Sequence, residues 1–377
     1  MNSNLSPLTS RLSPALTRWQ TRSLIVAIIA TLVSFIGAFV DPGQFYHSYL
    51  FAWLFWCGVS IGALIVAMLQ FLTGGEWGNA VRGLSIAAFR VLPCMALLFI
   101  PVLVGLRDIY RWSMGFNVEM AEYRHKAHYL SPPFFTVRSV FYFAVLITFA
   151  ILLRKKWQQS NSQGVTALSA GGLISYVVCM NFASTDWVMS LNPKWYSTIF
   201  TEIFGTGQFL AALALLIVLL ATFGQSTLLG EVRAKVFHDL GNMLLAFVIF
   251  WAYLAFSQFL IIWSGNLPNE ISWYLDRSRG GWQWLALAVL IFQLLLPLIL
   301  LLSREAKRNP RRLVPICICI LAGNVLVNFW LVAPSFHPAG FFLHWLDFAE
   351  LVALGSLWFT IFFHFAKQEP LWPEQVV

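Results

Sequence analysis

Residues 197–223 read STIFTEIFGTGQFLAALALLIVLLATF, and beyond Glu202 this stretch carries no charged side chain. A helix of about 20 mostly apolar residues suffices to cross the hydrocarbon core of a bilayer, so the stretch predicts a transmembrane helix. The pattern repeats on both sides of it. Apolar runs near 23–40, 48–72, 80–106, 134–153, 166–189, 240–263, 282–303, 312–333 and 344–366 are each bounded by charges or turn residues. The expected fold is therefore all-α, a polytopic membrane protein of about ten transmembrane helices. The chain divides into an N-terminal segment 1–22, a ten-helix transmembrane domain 23–366 and a C-terminal tail 367–377.

Composition agrees. Of 377 residues, 59% are hydrophobic and 11% charged, whereas soluble domains carry roughly 25% charge. Ten spans with short connections leave no room for a separate soluble domain. The third span holds Pro93 and Pro101, which a bundle tolerates because neighbouring helices satisfy the freed carbonyls. Residues 1–22 contain Arg11, Arg18 and Arg22 but no separate apolar core with a small-residue cleavage site. The first apolar stretch therefore reads as a retained helix.

Ten spans place both termini on one side of the membrane. With the N-terminus inside, fifteen Lys and Arg residues fall inside, eight fall outside, and Arg90 lies within the third span. Cytoplasmic loops carry the excess of such residues, so the expected topology is N-in, C-in, and the net charge of +8 reports orientation rather than nucleic-acid binding. Cys57, Cys94, Cys179, Cys317 and Cys319 all fall in apolar stretches without a CxxC pair, which indicates neither a disulfide framework nor a zinc or iron-sulfur site. The seven histidines lie in loops or near span ends. A transmembrane haem needs axial ligands from the helices around it, so no redox centre or metal of the chain's own is expected.

The elaborate connections are the outside ones, 107–133, 190–196, 264–281 and 334–343, rich in Trp, Tyr, His and Pro. Beside them stand Asp41 and the candidates for a proton path: Asp186, Glu202, His337, His344, Asp347 and Glu350. A buried charge in lipid is expensive, and such groups pair, face a polar cavity or relay protons. His344, Asp347 and Glu350 follow one another at three-residue spacing, which aligns them on one face of the last helix. Such a ladder suits proton release, because His titrates near neutrality and a desolvated carboxyl rises toward it; an interfacial cap and packing cluster is the competing reading. Arg90, Arg138, Tyr142, His125 and Lys126 are candidates for structural ion pairing or for orienting a quinone carbonyl. Gln70, Asn181, Gln208, Gln258, Gln293, Asn324 and Asn328 read as interhelical hydrogen bonds.

Eight stretches resemble a known family: FLTGGEWG (71–78), LPCMALLFIPVLVGLRDIY (92–110), HKAHYLSPPFFTVRSVFYF (125–143), STDWVMSLNPKWYSTIF (184–200), FWAYLAFSQFLIIWSGNLPNEISWYL (250–275), GGWQW (280–284), SREAKRNPRRL (303–313) and FHPAGFFLHWLDFAE (336–350). From about 23 to 372 the chain is similar to the NrfD/PsrC family of membrane anchors, and within it to the smaller membrane subunit of alternative complex III, a quinol:cytochrome c oxidoreductase. That resemblance implies two four-helix bundles plus two extra helices in the bacterial inner membrane, beside a larger paralogous membrane subunit. It also implies a periplasmic iron-sulfur/molybdopterin-like subunit, multihaem and monohaem cytochrome c subunits and, in some assemblies, a terminal oxidase. Haem and iron-sulfur would then belong to partners, menaquinone or ubiquinone would be the substrate, and this subunit would supply scaffold, a quinone contact or an outer-leaflet proton half-path. Three positions depart from the family pattern: Gln70 where His is common, Ser85 where Glu is common and Asn328 where Asp is common. All three are non-titratable here, which weakens a continuous relay across the bilayer. Two alternatives keep the membrane fold: a secondary transporter, for which no matched halves are visible, and an anchor of a polysulfide- or nitrite-reductase-type complex.

Overall fold

The computed structural model describes residues 7–115, 126–159, 162–224 and 234–371. Among the described residues ten helices are long and apolar enough to cross a membrane, and there is no strand. They are α1 (Pro7–Val40), α2 (Pro42–Thr73), α3 (Glu76–Val104), α4 (Pro132–Gln158), α5 (Ser162–Trp187), α6 (Phe200–Phe223), α7 (Ala234–Gly265), α8 (Trp282–Leu302), α9 (Pro310–Phe336) and α10 (Trp345–Ala366). Each expected span is present. Several run past the expected ends, α1 most of all, because hydropathy detects only the lipid-immersed part of a helix that continues into water.

Helices α2 to α5 form one four-helix bundle and α6 to α9 a second, joined where α2 packs on α6. The extra helices, α1 and α10, pair with each other and flank α2. Helices α2 and α6 are almost wholly buried, 94% and 89% of their most apolar stretches, against 22% for α1, so the core lies on the α2–α6 seam and α1 lies at its periphery. Gly62 allows that seam: a methyl group in its place would overlap the carbonyl oxygen of Gln208 and the side chain of Ala212. Small residues permit such close approach where burial in lipid supplies no hydrophobic drive.

Local sequence explains the turns and breaks. Asp41 caps α2, its Oδ1 accepting from the Gln44 N–H at 3.1 Å, and Pro42 opens the helix where its missing N–H costs nothing. In α3 the ladder is interrupted between Glu76–Phe89, Leu92–Leu97 and Ile100–Val104, at the two prolines. Side chains of α2 take carbonyls along the broken half: Trp53 Nε1 donates to Met95 O at 3.0 Å and Tyr49 Oη to Leu98 O at 2.8 Å. A π turn occupies Leu290–Leu295 of α8, directly before Pro297, which cannot donate to the Gln293 carbonyl.

Candidate functional site

At the end of the molecule away from the two termini, α2, α9 and α10 converge on Asp347. The chain is extended through His344, which begins α10 as its N-cap: its Nδ1 accepts from the Leu346 N–H at 3.3 Å. Asp347 returns the contact, with Oδ2 accepting from the His344 N–H at 2.8 Å, and the two form a capping box. The other carboxylate oxygen, Oδ1, accepts from Ser48 Oγ at 2.6 Å and from Gln44 Nε2 at 3.4 Å, both on α2. Gln44 in turn accepts through Oε1 from His337 Nε2 at 3.1 Å. Asp347 is only 5% exposed and, among the described residues, has no Lys or Arg partner.

One turn further along α10, Glu350 is 1% exposed. It accepts a short hydrogen bond from Ser34 Oγ of α1. Asp347 and Glu350 therefore face inward together, as the three-residue spacing predicts. His344 does not continue the row. Its extended backbone keeps it outside the helix, and its ring is committed to the first turn of α10.

His47 completes the cluster. Its Nε2 donates to the Asp108 carbonyl at 3.1 Å, which leaves Nδ1 as an acceptor, buried and without a partner among the described residues. The ring stacks on Phe336 at 3.6 Å and meets His337 edge-on at 6.1 Å. Gln44, His47, His337 and Asp347 share a cavity of about 10 Å³, close to the space of a single water. Burial lowers the His337 imidazole below its ordinary range, with the opposing attraction of Asp347 second in size.

Asp186 belongs to a separate node between α4 and α5. It is fully buried and accepts from Arg138 Nε and Nη2, each at 2.8 Å, in the fork geometry of a bidentate pair. Tyr142 Oη donates to the same carboxylate at 2.8 Å. The Arg138 guanidinium also stacks on the rings of Tyr129 and Phe134. Two residues read from sequence as structural or quinone-orienting thus hold one read as a proton carrier. Among the described residues no hydrogen bond joins this node to Asp347. The ring of Trp187 contacts Trp53 of α2 and Phe143 of α4 between them. Glu202 is in neither cluster; it is exposed on the first turn of α6.

Of the remaining candidates, Lys126 donates to the Pro193 carbonyl at 2.8 Å, and His125 lies outside the described residues. Arg90 pairs with Glu369 at 2.7 Å, and Arg154 with the same oxygen at 2.6 Å. The departing positions are all buried. Gln70 accepts from Arg82, Asn328 donates to the Asn324 carbonyl, and the Ser85 hydroxyl has no partner among the described residues.

A second concave site opens between α7, α8 and α9, with a volume of about 690 Å³. Aromatic rings of Tyr253, Phe256, Phe259, Trp273, Tyr274 and Trp330 line it. Its polar edge is Gln258, which donates to Tyr274 Oη at 3.0 Å and accepts from Ser197 Oγ at 2.8 Å. Behind this wall Arg277 is buried, with no carboxylate among the described residues in hydrogen-bond contact. Pro334 leaves the Trp330 carbonyl without its helical donor, and Arg277 Nε takes it at 3.2 Å while Nη2 takes Leu331 O at 3.0 Å. Sequence reading overlooked Ser34, Gln44, Ser48 and His47, which lie in a hydrophobic run or at its edge, and Arg277, whose partner carbonyl exists only because of a proline 57 positions on.

Fold and site together define a multi-pass integral membrane protein with a buried acid–imidazole cluster at one end. Comparison with protein-family models finds no matching family, and comparison with curated proteins finds no matching relative.

Proposed function

We propose that this chain is a membrane subunit of a quinol-oxidising respiratory complex in a bacterial cytoplasmic membrane, contributing a scaffold and a proton-accepting cluster rather than a redox centre. The observation that carries the reading is the Asp347–Glu350 pair. Two carboxyl groups buried within a spanning helix have hydroxyl, amide and backbone donors but no cationic partner among the described residues, beside His47, His337 and a water-sized cavity. Unpaired acids in a membrane interior are functional by default, and a static cap would need only one of them.

Quinol oxidation releases two electrons and two protons. The electrons would leave through iron-sulfur and cytochrome c partners, as the resemblance of the sequence implies. The protons need acceptors that exchange with water at one membrane face; in this reading Asp347 and Glu350, beside the water-sized cavity, are those acceptors. The aromatic pocket at Gln258 supports a quinone contact: its rings suit a flat apolar head, and the amide offers a hydrogen bond to a ring oxygen.

The test is turnover of the purified complex carrying Asp347→Asn or Glu350→Gln. Quinol oxidation slowed severalfold, with the complex assembled, is the expected result. Unchanged turnover in both variants would make the cluster structural. Purification of the chain as a stable colourless protein without haem-bearing partners would overturn the assignment to such a complex.

A further inference from the structure

On the side of the two termini, a groove of about 430 Å³ lies between α3 and α4 and is closed from behind by Phe365 of α10. Its mouth is cationic. Arg90, Arg154 and Lys155 line it together with Gln158. One carboxylate, Glu369, is shared by the two arginines through a single oxygen. The Arg90 guanidinium lies over the ring of Phe365 at 4.0 Å and donates to Gln368 Oε1 at 2.8 Å. Among the described residues, three cations meet one anion at the mouth, a formal excess of +2.

The depth of the groove is apolar. Pro93, Ile147 and Ile151 form its walls. Beyond them the same two helices turn Leu97, Ile100 and Val140 outward, each more than half exposed, so the apolar surface continues along the helices. A cationic rim that passes without interruption into an apolar trough matches one kind of molecule: an anionic group joined to hydrocarbon chains. Basic pockets between spanning helices recognise phospholipid headgroups in this way.

We infer that this groove is a binding site for one anionic phospholipid, its phosphate held by Arg154, Lys155 and Gln158 and an acyl chain lying along Ile151, Ile147 and Pro93. Arg90 and Glu369 position Arg154 from behind and keep the rim open. The site is independent of the acid–imidazole cluster and of the complex in which the chain works.

Native mass spectrometry of the detergent-solubilised protein tests this, with dioleoyl phosphatidylglycerol and dioleoyl phosphatidylcholine as probes. Phosphatidylglycerol should be retained preferentially. Lys155→Gln, at an exposed side chain that leaves folding intact, should weaken that retention about fivefold, and Arg154→Gln should weaken it at least as much. Arg308→Gln, an exposed cation at the same end but away from the groove, should leave it unchanged. Equal retention of the two lipids would overturn the inference, as would an Arg308→Gln loss equal to that of Lys155→Gln, because diffuse attraction would then suffice. Inorganic phosphate that raised the thermal unfolding temperature as much as the lipid would assign the site to a free anion and overturn the lipid.

Discussion

Ser48 and Asp347, 299 positions apart in the chain, meet at 2.6 Å, and that contact ties α2 of the first bundle to the last helix. The serine hydroxyl satisfies one carboxylate oxygen while the helix cap satisfies the other. Removing the hydroxyl leaves a buried acceptor short of a donor, which costs about 1–3 kcal/mol. Ser48→Ala should therefore lower the thermal unfolding temperature in detergent, and Ser48→Thr should recover most of the loss.

The Arg138–Asp186 pair is the most enclosed ion pair of the described residues. Breaking a buried pair from one side strands the other charge and costs about 3–5 kcal/mol. Arg138→Met is expected to destabilise strongly. Combining it with Asp186→Leu should restore a good part of the stability, measured by thermal unfolding as a double-mutant cycle. Additive losses would show that the carboxylate has other decisive partners.

Gly62 faces the Gln208 carbonyl too closely for a side chain. Gly62→Ala should force α2 and α6 apart at a cost of about 1–3 kcal/mol, and Gly62→Val should prevent accumulation of folded protein. Size-exclusion profiles of the two variants check this directly.

Acid should weaken the fold through His337. Burial lowers this imidazole from 6.5 in the folded protein, so the unfolded chain binds the proton more readily. The stabilisation is complete above pH 6.5 and is lost as pH falls through the folded value. The groups facing His337 are Asp347, His344 and Asp41, with His47 edge-on. His337→Gln keeps a donor for Gln44 and should flatten the fall in unfolding temperature between pH 8 and pH 5.

How much of this was legible beforehand depends on what each feature needs. Helix number and type follow from stretches such as 197–223, because length and hydropathy alone decide whether a segment can cross lipid. The shared inward face of Asp347 and Glu350 follows from helical spacing. The fate of Asp186 does not, since a bidentate partner 48 positions away is fixed by how α4 packs on α5. His344 sat at the right interval but outside the helix, because its own side chain starts that helix. The aromatic pocket at Gln258 joins α7, α8 and α9 across a π turn, and no local pattern announces where three helices fail to close.

The Arg90–Glu369 contact spans 279 positions, and this separation sets a schedule for biogenesis. Arg90 enters the membrane with α3, while its counter-ion follows α10, the last span to insert. Until then the guanidinium lacks Glu369 and its charge must be held by water, headgroups or another partner, at about 2.5–3.5 kcal/mol if left at mid-membrane. Closure of this pair therefore waits until α10 and the residues after it are in place, so the contact belongs to the last stage of assembly.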